Sequence, residues 1–181
     1  MLILASASPR RKQLLSTIIK DFKIVVADID ENIEFDDVYE LPVQLSFLKA
    51  SAIFKDYQND TIIASDTVVI LDNHVLGKPK DKEDAKRILR MLSNKMHQVV
   101  TGYTILSKEK VITRKVITDV YFNDLSDELI DQYVATGSPL DKAGAYGIQD
   151  EQFALVNHID GSYSNVMGLP LEDLSLFLTI K

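Results

Sequence analysis

The run Thr61-Ile62-Ile63-Ala64-Ser65-Asp66-Thr67-Val68-Val69-Ile70-Leu71 limits the choice of fold more than any other stretch of this chain. It is apolar and rich in β-branched residues, so it reads as a long buried strand. Asp72-Asn73-His74 and a short return through Val75-Leu76 follow it, which signals a hairpin or tight turn. A buried strand needs neighbours. Leu2–Ala5 and Phe22–Ala27 read as short strands, Gln98–Leu106 and Val111–Phe122 as two long ones joined by Ser107-Lys108-Glu109-Lys110, and Phe153–Ile159 as another. Helices are expected from Pro9 to Ile19, with Ser8 as N-cap, and over Pro42–Phe54, with Leu41, Leu45, Leu48 and Ala52 on one face. Three more are expected: Asp81–Ser93 with Ala85, Ile88, Leu89 and Leu92 buried, Ser126–Ala135 with Gly137 just past its end, and Pro170–Leu178. Strands and helices alternate irregularly. The pattern predicts an α/β or α+β fold with a mixed, twisted sheet and flanking helices.

The chain has 181 residues, enough for one domain over 1–181, or one domain with two lobes around a cleft. Its formal net charge is −7, which repels polyanions, so stable nucleic-acid binding is not expected. If it handles phosphates, it must gather its basic residues in one place. With no cysteine it has no disulfide scaffold, thiol nucleophile or thiolate zinc site. The apolar start Met1-Leu2-Ile3-Leu4-Ala5-Ser6 is too short for a signal peptide or membrane span. A cytoplasmic protein without membrane association is expected; a homodimer is compatible with everything in the sequence.

Four places resist a purely structural account. In Ser6-Ala7-Ser8-Pro9-Arg10-Arg11-Lys12, three cations crowd a helix start, where the helix dipole disfavours them by roughly 0.3–1 kcal/mol each. A bound phosphate would reverse that sign, with serine hydroxyls, free amides and guanidinium forks around it; the alternative is a solvated basic helix end. Asp66 sits mid-strand, where an ionised carboxylate needs a partner. It is a candidate general base or metal ligand, or else it caps nearby amides at a bulge. Gly77-Lys78-Pro79 makes a rigid turn that either aims Lys78 at a phosphate oxygen or leaves it in solvent. Finally, Gly137-Ser138-Pro139-Leu140-Asp141-Lys142-Ala143-Gly144-Ala145-Tyr146-Gly147-Ile148-Gln149 reads as a loop that approaches something closely, or as an ordinary connection. The Gln149 amide offers both a donor and an acceptor to a base edge.

Other patterns carry nothing. Asp28-Ile29-Asp30-Glu31-Asn32 opens like a calcium loop, but Ile33 and Tyr39 stand where glycine and glutamate are needed. His74, His97 and His158 have no zinc spacing, and no Walker loop, GxGxxG or Gly-x-Ser-x-Gly elbow occurs.

Together these segments resemble the Maf family of nucleotide pyrophosphatases. The resemblance rests on Leu4-Ala5-Ser6-Ala7-Ser8-Pro9-Arg10-Arg11, Ser65-Asp66-Thr67-Val68-Val69, Gly77-Lys78-Pro79, Pro139 through Gln149, and Gly161-Ser162-Tyr163-Ser164-Asn165-Val166-Met167-Gly168-Leu169-Pro170-Leu171, in that order. It implies an α/β fold with two lobes, related to that of the inosine triphosphate pyrophosphatases. It also implies hydrolysis of a nucleoside triphosphate to the monophosphate and pyrophosphate with a divalent metal, Mg²⁺ or Mn²⁺. By the same resemblance, Asp66 is the proton acceptor, Arg10, Thr67 and Gln149 govern substrate choice, and Ser8, Arg11, Glu31, Lys49 and Lys78 line the site. Glu31 would join Asp66 in holding the metal. Arg, Thr and Gln at those three positions resemble the branch acting on dTTP and UTP. The alternatives are the related 7-methyl-GTP branch and a non-enzymatic role in septum formation. The chain departs from the family in two places. Asp150-Glu151-Gln152 replaces a glycine-rich stretch and puts extra negative charge beside the expected pocket, and Lys49 lies in Phe47-Leu48-Lys49-Ala50 without the usual charged neighbour.

Overall fold

The computed structural model of the chain describes residues 1–178. In chain order the elements are β1 (Leu2–Leu4), α1 (Pro9–Ser16), β2 (Lys23–Ile24), α2 (Leu41–Phe54), β3 (Thr61–Leu71), β4 (His74–Leu76), α3 (Lys82–Leu92), β5 (Met96–Leu106), β6 (Val111–Phe122), α4 (Asp127–Ala135), β7 (Val156–Asp160), α5 (Tyr163–Met167) and α6 (Leu171–Ser175). The sheet is seven-stranded and mixed, in the order β2-β1-β3-β5-β6-β7, with β4 paired to β3. β1 runs parallel to both β2 and β3, while β3–β4 and β6–β7 are antiparallel. The expected mixed α/β architecture is what the chain adopts.

Local chemistry accounts for most element ends. Ser8 is extended and accepts the Arg11 N–H, and Pro9 opens α1. Asp81 and Ser126 cap α3 and α4 in the same way. Asp72 and Asn73 take positive φ to close the β3–β4 hairpin, as two-residue hairpins require. Gly137 is left-handed after α4.

Several expectations need correction. The helix expected to reach Ile19 stops at Ser16, because Thr17 and Ile18 close a tighter turn on Leu14 and Leu15. The strand expected over Phe22–Ala27 pairs only at Lys23–Ile24. On α2, Leu48 is exposed, and the covered stripe runs through Leu41, Leu45, Ser46, Ala50 and Ile53. The stripe turns because two polar residues face inward: Ser46 shares a 2.9 Å hydrogen bond with Thr104 of β5, and Lys49 reaches Asp66. The strand expected over Phe153–Ile159 begins only at Val156, after a 3-10 turn at Glu151–Phe153. The closing helix spans Leu171–Ser175 rather than Pro170–Leu178.

The chain divides into two compact units, one of Met1–Thr67, Val100–Val116 and Ser164–Lys181, the other of Val68–Val99 and Ile117–Tyr163. In the first, Ile3, Ala5, Ala50, Ile53, Ile62, Ala64 and Leu106 form a core of buried side chains beneath α2. In the second, α3 packs on α4 through Ala85, Ile88, Leu89 and Leu92 against a buried Ile130, Tyr133 and Val134. No helix among the described residues is long and apolar enough to cross a membrane.

His97, dismissed above for lacking zinc spacing, is a core residue of the second unit, 1% exposed. Its Nε2 lies 2.7 Å from the Tyr146 hydroxyl, and Phe122 and Tyr146 meet its ring edge-on. Burial lowers its pKa to about 4. The unfolded chain therefore takes up this proton first, and stability is lost as pH falls from the ordinary histidine value towards 4. Between pH 7.5 and pH 5 the loss from this residue is about 2 kcal/mol. The check is urea unfolding of wild type and His97→Gln at both pH values. The stability gap between the two proteins should change by that amount; a gap independent of pH would refute it.

Candidate active site

The site is built on the middle of β3. Asp66 is mostly shielded, with its side chain 14% exposed, and Lys49 on α2, 13% exposed, meets it with Nζ–Oδ1 2.7 Å. Glu31, in the irregular segment between β2 and α2, brings Oε1 to 2.8 Å from the same Nζ. Two carboxylates thus converge on one ammonium. Lys49 takes only Oδ1 of Asp66, and Oδ2 makes no hydrogen bond among the described residues. The packing of α2 explains the match: Ser46 is tied to Thr104, and Lys49 follows one turn later, so the helix arrives on β3 in a set rotation. The segment that carries Glu31 is shaped by Asp30, whose carboxylate accepts the Asn32 N–H at 2.9 Å and the Asn32 side-chain amide at 3.2 Å. That local capping is what the calcium-like string does here.

The cation-rich start of α1 splits into different roles. Arg11 turns inward. Its Nε donates to the Gly168 carbonyl at 2.8 Å, one terminal nitrogen to Thr67 Oγ1 at 3.0 Å and the other to Ser6 Oγ at 3.3 Å. Desolvation lowers its pKa, opposed by the negative field of Asp66. Thr67 also bonds Thr101, which donates to the Asn165 carbonyl at 3.0 Å. Ser65 adds a 3.1 Å bond to the Gly168 carbonyl. The Arg10 side chain, by contrast, makes no hydrogen bond or ion pair among the described residues, and Lys12 is exposed. Ser8 serves as the helix cap.

Lys78 and Gln149 belong to the second unit, and both are exposed. Within that unit the turn holding Lys78 and the glycine-rich segment are joined, because Gly144 donates its N–H to the Gly77 carbonyl at 3.1 Å. Gly144 has φ +70, and a Cβ there would come within 2.8 Å of the Val69 side chain, so the segment does approach its surroundings closely. The structure brings together Asp66, Lys49 and Glu31 in one cluster and Arg11, Thr67 and Ser8 in another network of the same unit. Ser6, quoted among the serines of the α1 start, proves to hold Arg11, while sequence reasoning missed Thr101 and the Gly168 carbonyl. The one available signal was Gly168 inside a quoted motif.

A divalent metal can be tested against this donor set. Glu31 and Asp66 offer hard oxygens converging on one point, where an ammonium now balances them. No group of three metal-ligating side chains occurs among the described residues. Two carboxylates with the remaining positions filled by phosphate oxygens and water suit Mg²⁺, which is usually held in this way. Glu31 and Asp66 are the side chains that would hold such an ion, in competition with the Lys49 ammonium they share.

The sequence model of the Maf-like protein family matches residues 1–180. The chain belongs to the Maf family. A Thermosipho africanus protein named dTTP/UTP pyrophosphatase is 49% identical over 94% of this chain and 87% of its own length. One from Thermococcus onnurineus with the same name is 45% identical over 95% and 93%, and one from Bacillus mycoides is 45% identical over 96% and 91%. Among solved structures, the Ham1 protein of Staphylococcus aureus superposes with a TM-score of 0.51 at 17% identity, covering 68% of this chain and 72% of that one. At that identity the likeness speaks for the fold alone. Maf membership accounts for the order of the motifs, and in this Maf chain Asp66, Lys49 and Glu31 form one ion-paired cluster.

Proposed function

We propose that this protein hydrolyses dTTP and UTP between the α and β phosphates, releasing the nucleoside monophosphate and pyrophosphate. The observation that carries the proposal is Asp66, with one carboxylate oxygen held by Lys49 and the other open. The names of its Maf relatives support the choice of nucleotide.

Hydrolysis at the α phosphorus needs a deprotonated water and neutralised phosphate oxygens. Asp66 Oδ2 accepts the water's proton, while Lys49 keeps the carboxylate oriented and presents positive charge to the phosphates. Arg10, whose side chain makes no hydrogen bond or ion pair among the described residues, meets the triphosphate, and Ser8 keeps the amides at the start of α1 in place for it; Lys78 is assigned to phosphate binding by the family resemblance alone. Arg11 is committed to Gly168, Thr67 and Ser6, so it contributes a fixed positive field. Thr67, bonded to Arg11 and Thr101, influences substrate choice by placing Arg11 rather than through a free hydroxyl. A Mg²⁺ or Mn²⁺ held by Asp66 and Glu31 would supply Lewis-acid neutralisation of the phosphate oxygens. Gln149 reads the imide edge of uracil or thymine with its amide.

The test is a panel of nucleoside triphosphates with Mg²⁺ or Mn²⁺, with products separated by ion exchange. UMP or dTMP with pyrophosphate is expected. UDP with phosphate would place the cut at the wrong bond, preference for 7-methyl-GTP would move the enzyme to the other branch, and no turnover would leave the non-enzymatic role. Gln149→Glu removes the amide donor and is expected to change the preference among bases by about tenfold, with a smaller effect on kcat for the best substrate. Equal losses for all bases would remove Gln149 from base reading.

A further inference from the structure

The three residues Asp150-Glu151-Gln152, where the chain departs from its family, were expected to add negative charge beside the pocket. Asp150 also serves as a hydrogen-bond acceptor within its own unit. Its Oδ2 accepts from the Tyr133 hydroxyl at 2.6 Å and from Ser138 Oγ at 2.8 Å. The same Tyr133 oxygen accepts the Gly147 N–H at 3.0 Å. Asp150 N–H in turn donates to the Gly147 carbonyl at 3.1 Å, closing a turn with Ile148 and Gln149 at its tip. Gln149 is exposed, and its amide makes no hydrogen bond among the described residues. Both residues that bracket the Ile148-Gln149 tip are therefore tied to a single hydroxyl, and that hydroxyl projects from α4, whose packing on α3 is solid core. The donors run in one direction, from the Gly147 amide to the tyrosine and from the tyrosine to the carboxylate, an arrangement in which each bond polarises the next. A free side chain on a tip held at both ends has lost its backbone freedom before any ligand arrives, which lowers the entropy cost of binding.

We propose that Tyr133 and Asp150 are positioning residues that preset Gln149 for base discrimination. The proposal rests on Gln149 being the base contact. It assigns the acidic departure from the family a role in specificity through hydrogen bonding, not through charge.

The test compares kcat/KM for UTP with that for CTP, whose base presents the opposite donor and acceptor pattern on the same edge. Tyr133→Phe and Asp150→Ala are each expected to lower the UTP-to-CTP ratio about tenfold, with most of the loss in KM for UTP. Asp150→Asn retains an acceptor for Tyr133 and Ser138 and should restore most of the ratio. Amide exchange at Gly147 and Asp150 should quicken in the first two variants and stay slow in the third. An Asp150→Asn protein as impaired as Asp150→Ala would mean that charge acts, and would overturn the clamp. A ratio unchanged in Tyr133→Phe and Asp150→Ala but collapsed in Gln149→Ala would overturn the clamp and leave Gln149 as the base contact. A ratio unchanged in Gln149→Ala would bring down the base contact and the clamp together. Should Tyr133→Phe fail to fold, Ser138→Ala, which removes one donor to Asp150, carries the same comparison.

Discussion

Asp66→Asn is expected to lower UTP turnover by on the order of a thousandfold while the protein remains folded. The amide is almost the same size and still accepts from Lys49, so the geometry around β3 survives. What it lacks is the ability to take a proton on the atom that stands open in wild type, since Lys49 engages only Oδ1. Lys49 also keeps Glu31 at 2.8 Å, so its ammonium is not left unpaired. With the divalent ion saturating, the loss should therefore fall mainly on kcat, because proton acceptance by Asp66 occurs only as the water is deprotonated. Pyrophosphate release with saturating UTP checks the rate, and thermal unfolding checks the fold. Near-normal turnover in a folded Asp66→Asn protein would end the case for Asp66 as proton acceptor. Lys49→Met separates orientation from proton transfer: it leaves Asp66 ionisable but unheld, and a smaller loss is expected than for Asp66→Asn.

Gly102→Ala is expected to cost about 3 kcal/mol or more of stability. Gly102 lies on β5, and a Cβ there would stand 2.4 Å from the backbone carbonyl carbon and oxygen of Pro42 and from the Val43 nitrogen. Those atoms form the first turn of α2, so no side chain can swing away. Either the helix lifts or the strand bends. The displacement also reaches the site, because Ser46–Thr104 and Lys49–Asp66 follow on successive turns of the same helix. A fall of roughly 10 °C in Tm is expected, together with reduced activity in whatever fraction remains folded. Gly77→Ala is the control for stability, since nothing lies within 4 Å of a Cβ at Gly77. A Gly102→Ala protein as stable as the control would show that α2 can retreat from β5 without penalty.

Much of the fold was legible in the chain itself. The long apolar run was β3 residue for residue, and the turn after it closed where two residues could take positive φ. Capping serine and aspartate marked the starts of α1, α3 and α4, because a side-chain oxygen at that position satisfies an otherwise free amide of the first turn. The oddity of Asp66 in that run was legible too, since a carboxylate in such a strand demands a partner.

Which partner it found was not legible. The family resemblance names Lys49 and Glu31 as site residues, but not their pairing; the packing of α2 on β5 through Gly102, Ser46 and Thr104 brings Lys49 to Asp66, and Glu31 joins Asp66 on that one ammonium. The three adjacent cations at the start of α1 looked alike, yet the Gly168 carbonyl and the Thr67 hydroxyl drew Arg11 inward while Arg10 stayed free. Asp150 read as extra negative charge beside the expected pocket; only the fold sets Tyr133 and Ser138 against it as donors. Strand periodicity, caps and turns are determined by neighbours along the chain, so the sequence contains them. The pairing of charges and hydroxyls depends on which atoms packing brings within about 3 Å, and only the tertiary structure sets that distance.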